Sequence, residues 1–311
     1  MKMGNLNSGK RMYKVDQDFF KKWSPQMAYI FGFTCADGNI YHRTLAWELT
    51  NRHQSNKDLL ERFRVTMLSN YPIEERKKSV RFRISNPVII SDIKILGVFP
   101  NKSKQILFPE VPDKYLCHFI RGFLDADGWI VAVIKKGGTK ELSVGFCSGS
   151  KDFIDGLIIA LKNCVGIVKF NLRKRLRKTK KGKNSITYQL DFYSDNAYQI
   201  IKFLYDNLTE EDLYLQRKFE KQLIARKFYE ETKQNRLFGR NWVSLERKNA
   251  VKMDVLLKEY LDKGLLPKEI AARFGVSLSS LYRWLDKSKV RLFSRRSSQE
   301  WTKRILMARS K

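Results

Sequence analysis

A thirteen-residue segment of this chain occurs twice. Residues 29–41 read YIFGFTCADGNIY and residues 119–131 read FIRGFLDADGWIV. Position by position they share an aromatic residue, Ile, Gly, Phe, Ala-Asp-Gly and Ile. A chain that repeats an apolar segment at this spacing is built from two copies of one unit, not from one irregular core. The similarity continues downstream. QSNKDLL (54–60) resembles SGSKDFI (148–154), and each leads into an apolar helical stretch. Basic segments of strand character follow, Arg76 to Ser85 and Lys169 to Tyr193, and then NPVIISDIKILGVF (86–99) and SDNAYQIIKFLYDNL (194–208). The pattern predicts helix, hairpin, helix, hairpin, helix in each copy, an α+β fold. The extra length of the second copy falls in its basic hairpin.

The repeated segment carries chemistry. Gly32 and Ala36, and again Gly122 and Ala126, lie four residues apart and therefore on one helix face. Such small residues let two helices approach backbone to backbone. Gly38 and Gly128 suit the left-handed position that ends a helix. Asp37 and Asp127 then stand at two neighbouring helix C-termini, where the helix dipole is already negative and the two carboxylates repel. A divalent cation relieves both problems, and oxygen-only ligands favour Mg²⁺ or Ca²⁺. Beside a basic groove this arrangement points to metal-assisted phosphodiester hydrolysis.

Charge supplies the groove. Lys and Arg number 61 against 32 Asp and Glu, a formal net charge of +29. An excess of this size repels itself unless a polyanion binds, and nucleic acid is the first candidate. With 43% hydrophobic residues the chain has ample surface to bury. No apolar run reaches the length that crosses a bilayer, so a membrane is not the expected partner. The N-terminal residues have no apolar core of the secretory kind. Cys35, Cys117, Cys147 and Cys164 form no CxxC pair, and His42, His53 and His118 are scattered, so neither a disulfide scaffold nor a zinc site is expected. The expected location is cytoplasmic, in a bacterial or phage-encoded setting.

The segments Ile30-Phe31-Gly32-Phe33-Thr34-Cys35-Ala36-Asp37-Gly38 and Ile120-Arg121-Gly122-Phe123-Leu124-Asp125-Ala126-Asp127-Gly128 resemble two LAGLIDADG motifs. The second is close to the family pattern, and the first departs from it at Cys35, where the family often has Asp. The resemblance covers about residues 25–235. It implies a monomeric, pseudo-symmetric homing endonuclease of the mobile-intron kind, with two αββαββα repeats whose antiparallel sheets saddle a long, asymmetric duplex DNA target. It implies Asp37 and Asp127 as metal ligands, assisted by the carbonyls of Ala36 and Ala126. Mg²⁺ is the implied cofactor, with Mn²⁺ substituting and Ca²⁺ binding without cleavage. It also implies a lysine near the end of each repeat, close to the cleaved phosphates, for which Lys102 and Lys218 are the candidates. A polar residue that orients water is assigned to Asn51 and Ser148.

The basic strands fit a DNA-facing sheet. In VRFRIS, Val80, Phe82 and Ile84 alternate with Arg81, Arg83 and Ser85, so one set faces the helices and the other the groove. In the second copy Lys169, Asn171, Arg173, Arg175 and Arg177 alternate with Phe170, Leu172 and Leu176. From 169 to 183 nine residues are Lys or Arg and none is acidic. Such faces reach phosphates and base edges in the major groove.

The C-terminal region reads as a second nucleic-acid module. From 240 to 311 there are 18 Lys and Arg against 7 Asp and Glu. Residues 253–263 are an amphipathic helix closed by Gly264, and Pro267 suits the first turn of the next, KEIAARF. Gly275-Val276 makes a turn, and Ser277 caps LSSLYRWLD. Ile270, Ala271, Gly275, Val276, Leu281 and Trp284 have the spacing of a helix-turn-helix core. Ser279, Ser280, Tyr282 and Arg283 then face the major groove.

The expected organisation is a basic N-terminal arm (1–24), a first repeat (25–112), a second repeat (113–235), a linker (236–252), and a helix-turn-helix domain with a basic tail (253–311). The expected activity is site-specific cleavage of both strands of duplex DNA. The alternatives are a non-cutting DNA-binding regulator of related fold and an RNA intron maturase.

Overall fold

The structure is a computed structural model. It describes residues 13–135, 140–178, 184–249, 267–273 and 277–279. The chain divides into two units, Met1–Phe228 and Tyr229–Lys311.

The first unit holds both repeats. In chain order the first contains helix α1 (Pro25–Asp37), strands β1 (Gly38–Tyr41) and β2 (Thr44–Thr50), helix α2 (Gln54–Thr66), strands β3 (Ile73–Glu75) and β4 (Ser79–Ile84), and helix α3 (Pro87–Ile95). The second contains α4 (Asp113–Asp127), β5 (Gly128–Ile134), β6 (Lys140–Ser148), α5 (Lys151–Val165), β7 (Asn171–Lys178), β8 (Asn184–Tyr193) and α6 (Ser194–Tyr205). Both are αββαββα units. Each has a four-stranded antiparallel sheet, ordered β1-β2-β4-β3 and β5-β6-β8-β7. The expected α+β repeat architecture is therefore present.

Local chemistry explains the motif helices. Ser24 caps α1, its Oγ accepting from the Met27 amide at 3.0 Å, and Pro25 takes the first helical position. Both helices run directly into a strand. The amide of Gly38 still donates to Thr34, and that of Gly128 to Leu124.

Gly38 and Gly128 are not left-handed, as the turn reading expected. Their φ, ψ values are −70°, 139° and −115°, −179°, extended backbone that any residue adopts. What requires glycine is space. A Cβ on Gly38 would meet the Thr34 carbonyl oxygen at 2.6 Å, and one on Gly128 would meet the Leu124 carbonyl oxygen at 2.8 Å.

The cores lie between sheets and helices. In the first repeat Trp47, Phe63 and Phe82 are fully buried under α1, and the Trp47 indole donates to Thr34 Oγ1 at 2.9 Å. In the second, Phe123, Phe146 and Phe153 fill the same layer. A fully buried side chain of this size contributes roughly 1.5–3 kcal/mol.

α1 and α4 pack against each other along their length. A Cβ on Gly32 would stand 2.0 Å from the Phe119 carbonyl oxygen, and one on Gly122 the same distance from that of Tyr29. The small residues read from the sequence are thus what let these backbones touch. Phe31 and Phe119, 5.2 Å apart, fill the interface beside them.

Register corrects one part of the internal alignment. Gly38 pairs with Trp47 and Gly128 with Phe146, whereas α2 begins at Gln54 and α5 at Lys151. Gln54 therefore corresponds to Lys151, not to Ser148, and the first copy has the longer strand-to-helix turn.

Residues 13–24 pack onto the first repeat. Phe19 and Phe20 are buried, and the Asp16 amide donates to the Met67 carbonyl at 2.9 Å. Residues 1–12 of the expected arm lie outside the described residues. After α6 the chain enters a long helix, α7 (Gln216–Asn249), so the stretch expected to be a linker is helical as far as Asn249.

In the second unit the described residues include helix α8 (Pro267–Arg273), with Pro267 at its first position and Ala271 buried as expected. Most of the expected helix-turn-helix, including Ser280, Tyr282 and Arg283, lies outside the described residues. Ser279 is described and exposed. No described helix is long and apolar enough to cross a membrane.

Candidate active site

Asp37 is the last residue of α1 and Asp127 the last of α4, so the packing of the two helices brings their C-terminal carboxylates together. The surrounding protein desolvates both. This is the main cause that pushes Asp127 up to about 6, and the charge of Asp37 adds to it against Lys218 and Lys102. Asp37 is raised as well, by desolvation first, opposed by Lys218, Lys102 and Arg217. The charge of Asp37 thus acts on Asp127 across the helix ends.

Lys102 and Lys218 lie close enough to act on both carboxylates, and their ammonium groups are engaged. Lys102, in a short 3₁₀ turn after α3, donates to the carbonyls of Ala36 at 3.2 Å and Gly38 at 2.5 Å. Lys218, in the first turn of α7, donates to the carbonyls of Leu124, of Asp125 at 2.7 Å and of Gly128 at 2.8 Å. Each lysine thus satisfies carbonyls that a helix end leaves orphaned and places positive charge on the negative end of the dipole. Burial lowers the pKa of both, that of Lys218 to about 8. The Ala36 carbonyl, expected to face a metal, accepts from Lys102.

The two polar candidates hold turns. Asn51 Nδ2 donates to the carbonyls of Arg76 and Lys77, tying the β2–α2 turn to the β3–β4 turn. Ser148 Oγ accepts from the Ser150 amide at 3.1 Å, ahead of α5. They are equivalent when counted from the helix start, but not when counted from the strand register.

Arg81 and Arg83 lie on the outer face of the first sheet, opposite Val80, Phe82 and Ile84 in the core. The sequence reading missed their acidic neighbours. Arg83 Nε is 2.5 Å from Glu74, and Arg81 Nε is 3.9 Å from Glu48. In the second sheet Asn171, Arg173 and Arg175 are exposed on β7, and Arg173 pairs with the buried Asp191 at 2.5 Å. Lys169 precedes the strand and is exposed. Arg177 is in β7, with its side chain outside the described residues.

A buried network behind the site was also missed. Asp125 Oδ2 accepts from Tyr29 Oη at 2.6 Å and from the Leu215 amide at 2.7 Å, which fixes the segment that delivers Lys218. Arg121, 1% exposed, donates to the carbonyls of Leu213 and Leu204, and its Nη2 lies 3.5 Å from Asp212. His118 Nδ1 stands 3.0 Å from the same carboxylate. The family position of Asp125 is held by Cys35 in the first copy. Burial pushes its thiol well up, so it remains a neutral thiol. The sequence signal was Arg121 itself, a charge inside an apolar motif helix.

Among the described residues no group of three or more His, Cys, Asp or Glu side chains gathers. The donor set at the helix ends is two carboxylates with backbone carbonyls. All its donors are oxygens, and two carboxylates brought together at the helix ends suit a hard divalent cation.

Residues 114–203 match a family profile described as a LAGLIDADG-like domain. Two curated proteins of Methanocaldococcus jannaschii are similar over part of their length. A probable translation initiation factor IF-2 is 30% identical over 127 residues, 37% of this chain and 10% of that protein. An uncharacterized protein is 28% identical over 117 residues, 35% of this chain and 41% of that protein. The chain therefore spans less than half the length of either. Among solved structures, the LAGLIDADG meganuclease I-AabMI bound to uncleaved DNA is 12% identical, with a TM-score of 0.45 over 68% of this chain and 92% of that one. I-SmaMI, bound to an uncleaved DNA target in the presence of calcium ions, is 13% identical, with a TM-score of 0.43 over 68% and 93%. Residues 114–203 thus match a LAGLIDADG-like domain, and the same αββαββα fold with its motif helix stands once more before them in the chain.

Proposed function

We propose that the chain is a site-specific endonuclease that hydrolyses both strands of duplex DNA with a divalent cation, Mg²⁺ in the first instance. The observation that carries this reading is the meeting of Asp37 and Asp127 at the ends of two packed helices, between two sheets whose outer faces carry arginines. Asp37 and Asp127 would hold the cation, with the Ala126 carbonyl as a further oxygen donor. When bound, such an ion activates water and stabilises the charge that develops on the phosphate. Lys102 and Lys218 set the position of the two helix ends, and their ammonium groups keep positive charge beside the scissile phosphates. The arginines of β4 and β7 neutralise backbone phosphates and reach base edges.

The chain acts as a monomer on this reading, since it contains both halves of the site. Its target is long and asymmetric, because the two sheets carry different side chains. Ser279, with Ser280, Tyr282 and Arg283, extends the contact beyond the repeats.

The test is cleavage of supercoiled plasmid carrying a target selected from a randomised duplex library. Nicked and linear products are scored with Mg²⁺ and with Ca²⁺. Linear product in Mg²⁺, and binding without product in Ca²⁺, is the expected outcome. Tight binding with no cleavage in Mg²⁺ or Mn²⁺ would replace this reading with that of a regulator or maturase.

A further inference from the structure

The two sheets share a fold but not a surface. Register makes the comparison direct, since Gly38–Trp47 in the first sheet corresponds to Gly128–Phe146 in the second. The residues that follow each motif glycine on the outer face are Asn39 and Tyr41 in the first repeat, and Trp129, Val131 and Val133 in the second. Asn39 pairs with Ala46 and lies in line with Arg83, and Glu48 pairs with Arg81. Beside the exposed ring of Tyr41 at its edge, this first face carries hydrogen-bonding groups.

The second face differs next to the catalytic aspartate. Along β5, Ile130 is buried in the core, while Trp129 and Val131 are half-buried and Val133 is 44% exposed, on the other side. Trp129 pairs with Gly145, and a Cβ on Gly145 would fall 2.1 Å from the indole ring. The indole therefore lies across the neighbouring strand on the outer face, in a place that only glycine leaves open. Val131 pairs with Ser143, which pairs with Tyr193, itself 41% exposed. The result is an apolar stripe starting two residues from Asp127. On the same face the far edge of the sheet, beyond β6 and β8, is the cationic β7, whose Asn171 and Arg173 align through β8 with Gly145 and Cys147.

An apolar stripe on a sheet whose opposite edge carries arginines fits one partner in particular. Duplex DNA meets the cations with its phosphates, and in the major groove its one apolar feature is the C5-methyl group of thymine. We propose that Trp129, Val131 and Val133 select thymine in the half-site lying against the second repeat. The first repeat reads its own half through hydrogen bonds from Asn39, Glu48, Arg81 and Arg83. The inference rests on the proposed DNA-cleaving function and adds the base class and the half-site it falls in.

The test uses the full chain with Ca²⁺, so that binding is measured without cutting. Duplexes are selected from a randomised pool. Thymine enrichment is expected in one half-site only, at positions bordering the central cleavage region. Replacing each of those thymines by deoxyuridine removes only the methyl group and should weaken binding about fourfold per site, the worth of one buried methyl. Val131→Asn and Val133→Asn should abolish that discrimination while leaving the selectivity of the other half-site unchanged. Trp129→Ala, at a surface position, should do the same for the base nearest the centre.

Selected duplexes with no thymine preference, or with full tolerance of deoxyuridine, would overturn the inference and leave the endonuclease reading standing. A pool that yields no preferred sequence at all would overturn both. A dimer of the chain that duplex DNA does not dissociate and Val131→Asn does would show that a second copy covers the stripe, and would also overturn the inference.

Discussion

The α-carbon of Gly122 lies against the carbonyl of Tyr29, so closely that a Cβ would stand 2.0 Å from its oxygen. Gly32 has the reciprocal relationship with Phe119. Backbone cannot move aside as a flexible side chain can, so a methyl here must push the helices apart. Gly122→Ala and Gly32→Ala should each destabilise the first unit by about 3 kcal/mol or more, the upper range for overpacking. Chemical denaturation checks this, and a midpoint like that of wild type would contradict the close approach.

The aspartates should behave in the opposite way. Asp127 is pushed up to about 6 from an ordinary 3.8, so the fold prefers its protonated form. The associated stability is complete below 3.8 and is lost as the pH rises through about 6. In EDTA, Asp127→Asn should therefore be more stable than wild type above pH 6, by on the order of 1–2 kcal/mol once solvent screening is allowed for. The difference should close as the pH falls toward 3.8. Cleavage of at least one strand should collapse in this variant and in Asp37→Asn, while DNA binding survives. Thermal melts across pH, beside a nicking assay, separate the two effects.

Lys218 should matter to folding as well as to chemistry. Lys218→Met removes the Nζ donor from the carbonyls of Asp125 and Gly128, and from that of Leu124, which keeps the Gly128 amide. The expected loss is about 1–3 kcal/mol of stability. Lys94→Met, at an exposed position on α3, should stay within about 0.5 kcal/mol of wild type. If Lys218→Met abolishes cleavage without lowering Tm, the carbonyl contacts are not what the lysine contributes.

Arg121→Met should be among the most damaging single changes. It removes the cation beside Asp212, which is 2% exposed, and strips the donors from the Leu204 and Leu213 carbonyls. Breaking a buried pair from one side typically costs about 3–5 kcal/mol. Replacing Asp212 by Leu as well should recover part of the loss, because the buried carboxylate left beside the missing guanidinium is then removed. A double-mutant cycle measured by urea unfolding tests this.

Salt should weaken DNA binding steeply. Basic faces that make six or more phosphate contacts lose on the order of 10³-fold affinity or more between about 50 and 200 mM salt. A flat dependence on a selected duplex, measured by fluorescence anisotropy, would argue against a broad basic groove.

The sequence by itself determined the architecture. Two ADG segments with Gly and Ala four residues apart encode two helices that can touch only through their small faces, and alternation in VRFRIS assigns Val80, Phe82 and Ile84 to the core. These patterns are local and periodic, so one chain read alone carries them. Tertiary structure decided what the polar groups do. Lys102 and Lys218 meet the motif carbonyls only because segments far along the chain fold back onto two helix ends. Arg81 and Arg83 acquire Glu48 and Glu74 only through strand pairing. Gly38 and Gly128 are needed for space and not for a left-handed turn, because each helix passes straight into a strand. Trp129 has room to lie flat only because register sets Gly145 beside it. Contacts of this kind depend on which residues become neighbours across the fold, and periodicity along one strand or helix does not encode that.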